Sequence, residues 1–170
     1  MRKTLVNALL LPHVNYCAAV YLGIGSGLNL KLQRLVNEGI RYTLGLPWDS
    51  PITQARINLG WPTVSMARAR AVLIIVRKAL IERAPSYLTE LLAVYSATRL
   101  FRNQTSSNRL VIPNHHTQAY KYSFAVAAPY LWNDLPDELR SVRSASTFKR
   151  DLGSWLLKTD ESWAMKFFVT

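Results

Sequence analysis

The side chains in this chain that could attack, ionise or bind metal are few and scattered. It has three histidines, His13, His115 and His116, and a single cysteine, Cys17. His13 and Cys17 stand four apart, which puts both on one face of a helix. His115 and His116 would complete four ligands, so a small zinc-dependent enzyme is one reading. No Cys-x-x-Cys or His-x-x-x-His pair accompanies them, and the plainer reading is a core thiol with surface histidines. Cys17 lies in a stretch that reads as apolar helix, whereas a reactive thiolate needs an electropositive, exposed setting. Serines abound without a Gly-x-Ser-x-Gly elbow. Gly23 to Gly27 forms a turn that lacks the Lys-Ser/Thr of a phosphate-binding loop. Two-metal polymerase or nuclease chemistry needs clustered carboxylates. The acids before residue 134 are Glu38, Asp49, Glu82 and Glu90, each isolated. Asp134, Asp137 and Glu138 follow a proline-bounded turn and read as helix-cap charges. The expectation is no catalytic residue, no metal, no cofactor and no enzymatic activity for this chain alone.

Binding chemistry is better represented. Lys and Arg total 21 against 10 Asp and Glu, a net charge of +11. Such an excess draws a protein to polyanions, nucleic acid first. Residues 1–122 carry 15 Lys or Arg and 4 acids, while residues 123–170 are balanced, so the field belongs to the first three-quarters. Lys31, Arg34 and Arg41 share a helix face, against which a nucleic-acid backbone could lie. The competing arrangement is a solvated face in which Glu38 pairs with Arg34 and Arg41. Arg99, Arg102 and Arg109, followed by Tyr120, Lys121 and Tyr122, mix cations with aromatic rings. Single-strand binders use that mixture, with bases stacking on rings; the alternative is aromatics tucked into a core. The candidate nucleic-acid-binding residues are therefore Lys31, Arg34, Arg41, Arg99, Arg102, Arg109 and Lys121. The tryptophans at 48, 61, 132 and 155 sit beside turns or on inner helix faces and read as core.

The elements that must position these residues are mainly α. Residues 3–22 read as two short helical pieces meeting at Pro12. Residues 28–45 form an amphipathic helix through Leu28, Leu32, Leu35, Val36 and Ile40, stopped by Gly45 and Pro47. A short helix runs to Leu59, and a longer one, capped by Thr63, runs to about Glu82. Its middle, Ala71 to Val76, is apolar all round and implies burial on several sides; a buried strand competes, but length favours helix. Pro85-Ser86 opens another helix. Residues 96–118 are polar and irregular, with a short strand at Leu110-Val111-Ile112, and Tyr120, Tyr122 and Phe124 alternate as in a strand. Helical pattern returns from Phe124 to Trp132, and a last helix spans about Ala145 to Lys158, weakened at Gly153. The tail beyond reads as frayed. One cysteine allows no internal disulfide. The N-terminal apolar run imitates a signal peptide but is interrupted by Asn7, Pro12 and His13. No run reaches the ~18–20 clean apolar residues of a membrane span. A nuclear or cytoplasmic protein is expected, with neither secretion nor a membrane partner.

Several separated motifs resemble one family. Leu10-Leu11-Pro12-His13-Val14-Asn15-Tyr16-Cys17 resembles the "L-x-P-x-x-x-Y-(C/G)" segment late in reverse transcriptases of LINE-type, non-long-terminal-repeat retrotransposons of the jockey-like kind. Leu32-Gln33-Arg34-Leu35-Val36-Asn37 resembles the "L-Q-R-x-x-N" helix that follows it there. Leu59-Gly60-Trp61-Pro62 is similar to the next block, and Ala84-Pro85-Ser86-Tyr87-Leu88 with Leu91-Leu92 to "A-P-x-Y-L-x-x-L". Phe124 to Pro136 resembles the "F-x-x-x-A-P-x-L-W-N-x-L-P" signature, and Phe148-Lys149 the "S-F-K" of a closing helix. Order and spacing together carry the resemblance, over about residues 5–158. Tyr21 departs from it, standing where such sequences usually carry Trp, and the tail after Lys158 matches nothing.

The resemblance implies the end of a polymerase thumb and the region after it. Its parts would be thumb-like helices at 1–60, a helical connection at 61–96, a basic irregular segment with one or two short β-strands at 97–122, a C-terminal helical motif at 123–158 and a frayed tail at 159–170. The catalytic aspartates of such polymerases lie upstream, in the palm. A chain like this would grip RNA or an RNA/DNA primer–template without doing the chemistry, beside an upstream reverse-transcriptase core. Met1 would then be an internal methionine promoted to a start. The other expectation is a relic or protein-interaction module that self-associates through apolar surface around residues 3–22.

Overall fold

The computed structural model describes residues 1–81, 84–95, 109–160 and 162–164, and it is mainly helical. The two pieces that meet near Pro12 are α1 (Arg2–Leu9) and α2 (Leu11–Asn15). Pro12 sits in the first turn of α2, where its missing N–H is no loss. The helix stops there: Tyr16 is extended and Cys17 takes a φ of 50°. His13 and Cys17 therefore do not share a helix face, and the thiol is exposed in a turn rather than set in an apolar helix.

α3 (Ser26–Leu44) turns Leu32, Val36 and Ile40 inward and ends at Gly45, whose φ of 68° is the left-handed cap that glycine supplies without strain. Gly39 lets α1 approach closely. A Cβ there would stand 2.7 Å from Leu10 Cδ2 and 3.0 Å from Val6 Cγ1. α4 (Thr53–Leu59) ends at Gly60 in the same way, and the chain turns through Trp61. Val6, Val36, Ile40, Trp61 and Val64 form a first core.

α5 (Val64–Ile81) is a helix buried on several sides, as its apolar run predicts. Its start is secured from two places. Thr63 Oγ1 accepts from the Met66 amide at 3.3 Å, and Gln33 Oε1, reaching across from α3, accepts from the Val64 amide at 2.9 Å. Both donors would otherwise be orphaned at a helix start. Further along, Met66, Val72, Leu73 and Val76 belong to a second, larger core. The remaining helices are α6 (Ser86–Thr89), α7 (Gln118–Lys121), α8 (Phe124–Asn133), α9 (Asp137–Ser141) and α10 (Ala145–Lys158). Trp132 of α8 and Phe148, Leu152 and Leu156 of α10 fill the second core against α5.

Three expectations are corrected. Tyr120, Tyr122 and Phe124 form no strand. Thr117 Oγ1 accepts from the Tyr120 amide at 3.2 Å and caps α7, and Phe124 opens α8. Alternation over three positions is too short to outweigh a helix cap. Among the described residues, the strand at Leu110 to Ile112 reduces to one antiparallel bridge, Val94 to Leu110. The reason is Asn133, whose side-chain amide takes both outward backbone groups of Leu110, at 2.8 Å each, where a further strand would pair. Within the tail expected to fray, Trp163 and Ala164 are buried in the second core, while residues 161 and 165–170 lie outside the described residues. Trp163 packs edge-on to Trp155 with centroids 5.0 Å apart, and its indole N–H donates to the Asp134 carboxylate. Among the described residues, no helix is long and apolar enough to cross a membrane.

Candidate nucleic-acid interface

The outward face of α3 holds three of the expected cations. With 19 residues, α3 is about 28 Å long, the reach of several nucleotides. Lys31 and Arg34 are exposed to solvent. Arg41 is not free: its side chain is 20% exposed, and Nη1 lies 2.8 Å from Glu38 Oε1. Glu38 pairs with Arg41 alone among the described residues, which leaves Arg34 open. The face therefore offers two open cations and one that already has a carboxylate.

The other candidates lie elsewhere. Arg109 is exposed beside the Val94–Leu110 bridge, where its carbonyl accepts from the Tyr95 amide at 2.8 Å. Its charged neighbour is Arg140 of α9. Burial, and then the Arg109 charge, hold the Arg140 pKa below the ordinary arginine value. Lys121 is half-buried, with Nζ 5.5 Å from the ring centroid of Tyr122. Tyr122 presses on Gly23, where an added Cβ would come within 2.9 Å of its own Cβ, so the end of α7 sits beside the approach to α3. Arg99 and Arg102 lie outside the described residues.

Exposed aromatics occur where the sequence did not suggest them. Trp48, read as core, is 82% exposed in the turn after α3. Tyr42 is exposed near the end of the same helix, and the Arg2 guanidinium lies 5.6 Å from its ring centroid. At the C-terminal end of α3 a cation already lies against the Tyr42 ring, and Trp48 stands exposed in the turn that follows. One available signal was the eleven-residue step from Lys31 to Tyr42, about three helical turns, which keeps Tyr42 near the outward face.

Not all of the positive charge reaches the surface. Arg77 of α5 is buried with its guanidinium 5.5 Å from the Phe148 ring centroid, donating to the Arg143 carbonyl. Arg140 is buried and pairs with Asp137. Arg68 is 2% exposed, and both of its terminal nitrogens are buried without a hydrogen-bond partner among the described residues. Its burial pushes the pKa below the ordinary arginine value.

Between α3, α4 and the start of α5 lies a cleft of about 430 Å³. Its polar lining includes Asn29, Gln33, Asn37, Thr53, Arg56 and Ser65. Gln33 Nε2 donates to Asn37 Oδ1 at 2.9 Å, and Arg56 Nη1 to the Trp61 carbonyl at 3.0 Å. Among the described residues, no group of three or more His, Cys, Asp or Glu is arranged to hold a metal ion.

No family model matches the chain, and neither the curated proteins nor the solved structures compared with it give a match.

Proposed function

We propose that the chain is a catalytically inactive nucleic-acid-binding module, the thumb and post-thumb region of a LINE-type RNA-directed DNA polymerase. One observation carries the binding half of this reading. Among the described residues, the outward face of α3 presents Lys31 and Arg34 without carboxylate partners and ends at the exposed rings of Tyr42 and Trp48, in a chain of net charge +11. Cations along a helix meet phosphates, and open rings stack bases. The family half rests on the order and spacing of the sequence motifs. Residues carrying the resemblance also hold positions that shape the fold: Gln33 caps α5, Gly60 ends α4, Asn133 clamps Leu110 and Phe148 fills the second core.

Fluorescence anisotropy of labelled RNA hairpins and single strands at several salt concentrations tests the binding. The logarithm of the association constant is expected to fall linearly with the logarithm of salt concentration. The double variant Lys31→Gln, Arg34→Gln should reduce that slope by about two, roughly one per lost phosphate contact. Absence of binding at low salt, or affinity indifferent to salt, sinks the reading.

A second reading has its own support. Leu5, Leu9, Tyr16, Val20 and Tyr21 are all exposed within the first 21 residues. A self-associating module would use such a surface. Light scattering of the purified chain separates the two, since a clean monomer across the working concentration range excludes self-association.

A further inference from the structure

We propose that the α1–α3 pair binds a second copy of itself about a two-fold axis at Leu35. This rests on the self-association reading above and names its surface and its geometry; it does not draw on the nucleic-acid reading. Leu28, Leu35 and Tyr42 recur every seven residues along α3, so they form one stripe about 21 Å long. α1 runs antiparallel beside that stripe. Arg2 lies over the Tyr42 ring, whereas Val6 and Leu10 press on Gly39. Leu9 stands two helical turns from Arg2, so it keeps the side of α1 that faces Tyr42, and Leu5 lies one turn before it. The five apolar side chains are each between 40% and 66% exposed. Two packed helices thus present one apolar surface to solvent, the mark of an interaction site.

Charge complementarity says what covers it. Lys31 and Glu38, both exposed, each stand three residues after a stripe leucine, so both flank the stripe on the same side. A two-fold axis across α3 at Leu35 sets each residue against the one equally far beyond the axis. Leu28 then meets the partner's Tyr42, and Leu35 meets the partner's Leu35. Lys31, four residues before the axis, comes level with the partner's Glu38, three after it. Such a rotation also keeps each flank facing its own copy, so the two charges meet on one side. Symmetry makes the same contact twice. Glu38 Oε1 is held by Arg41 of its own chain, but the side chain is 66% exposed and has a second oxygen to offer. A parallel pairing would instead put Lys31 level with the partner's Lys31. Two chains of net charge +11 repel, so a contact between copies needs this local match of sign. Arg34 lies about 100° round the helix from Leu35 and stays outside the contact.

The test is sedimentation of the full, nuclease-treated chain over a concentration series. The wild type should pass from monomer to dimer and no further, because a two-fold contact closes on itself. Leu35→Lys, an exposed change between good helix formers, keeps the fold and sets two cations face to face. It should weaken the dimer about tenfold. Lys31→Glu should weaken it by a smaller factor, and the swap of Lys31→Glu with Glu38→Lys should restore it. In a Cys17→Ser background, Leu35→Cys should give a covalent dimer with oxidised glutathione. Leu30→Cys, similarly exposed but about 140° round α3, should not. A dimer that ignores Leu35→Lys, or that the charge swap leaves no tighter than Lys31→Glu alone, overturns this geometry and leaves self-association standing. Growth beyond the dimer overturns the closed two-fold contact in the same way. A monomer at every concentration overturns both, gives the stripe to a partner of different sequence and leaves the nucleic-acid reading untouched.

Discussion

Arg68 is buried inside α5 and, among the described residues, has no acceptor for its terminal nitrogens. An uncompensated buried cation is a standing cost. Its folded pKa lies below the unfolded one, so the unfolded state holds the proton more tightly. The destabilisation is in full force below the folded pKa and is relieved only as pH rises through it. Substitution removes it. Arg68→Met should stabilise the chain by about 1–3 kcal/mol in urea unfolding, and a loss of stability would show that an acceptor is present after all. Asn133 is the opposite case. Asn133→Ala leaves the Leu110 N–H and C=O without partners and should cost about 1–3 kcal/mol. Asn133→Asp keeps the acceptor but turns a carboxylate oxygen toward the Leu110 carbonyl, and should cost at least as much at neutral pH. At this scale the sequence was only partly legible. Lys31 and Arg34 could be placed on an outward face because a helical period fixes direction. Trp48 could not be placed. A tryptophan is ordinarily buried, and only the path of the chain beyond Gly45 carries this one into solvent.

Helices were the most legible feature, since a strong period over more than ten residues leaves little choice of state. α3, α5 and α10 lie within a few residues of where the apolar spacing puts them. What the spacing did not contain was contact between elements. The cap that Gln33 gives α5 joins residues 31 apart, and the Asn133 clamp joins residues 23 apart. Neither has a local signature. Two glycines separate propensity from packing. A Cβ at Gly153 of α10 meets only Arg70 Nε, at an ordinary 4.0 Å, so Gly153→Ala should gain about 1 kcal/mol of helix stability. At Gly39 the same change of propensity competes with Leu10 and Val6, and a larger residue has nowhere to go. Gly39→Leu should force α1 off α3 and lower stability by about 1–3 kcal/mol. Thermal melts of the two variants, moving in opposite directions, check both.

At the scale of the molecule, α5 belongs to both cores, with Val64 in the first and Met66 to Ala79 in the second. One continuous helix cannot melt in one core and leave the other intact. Indole fluorescence and far-UV circular dichroism should therefore trace coincident thermal transitions, and separated curves would mean two independent units. The Val94–Leu110 bridge has a different consequence. Tyr95 and Arg109 are joined backbone to backbone at 2.8 Å, and Asn133 fastens Leu110 to α8. The thirteen residues of sequence between Tyr95 and Arg109 are thus bracketed by two residues held side by side. Closure entropy grows only with the logarithm of length, so doubling that span should cost about 0.6 kcal/mol. The bridge thus acts as a clasp: Tyr95 and Arg109 are held together by contacts among the described residues, whatever the length of sequence between them.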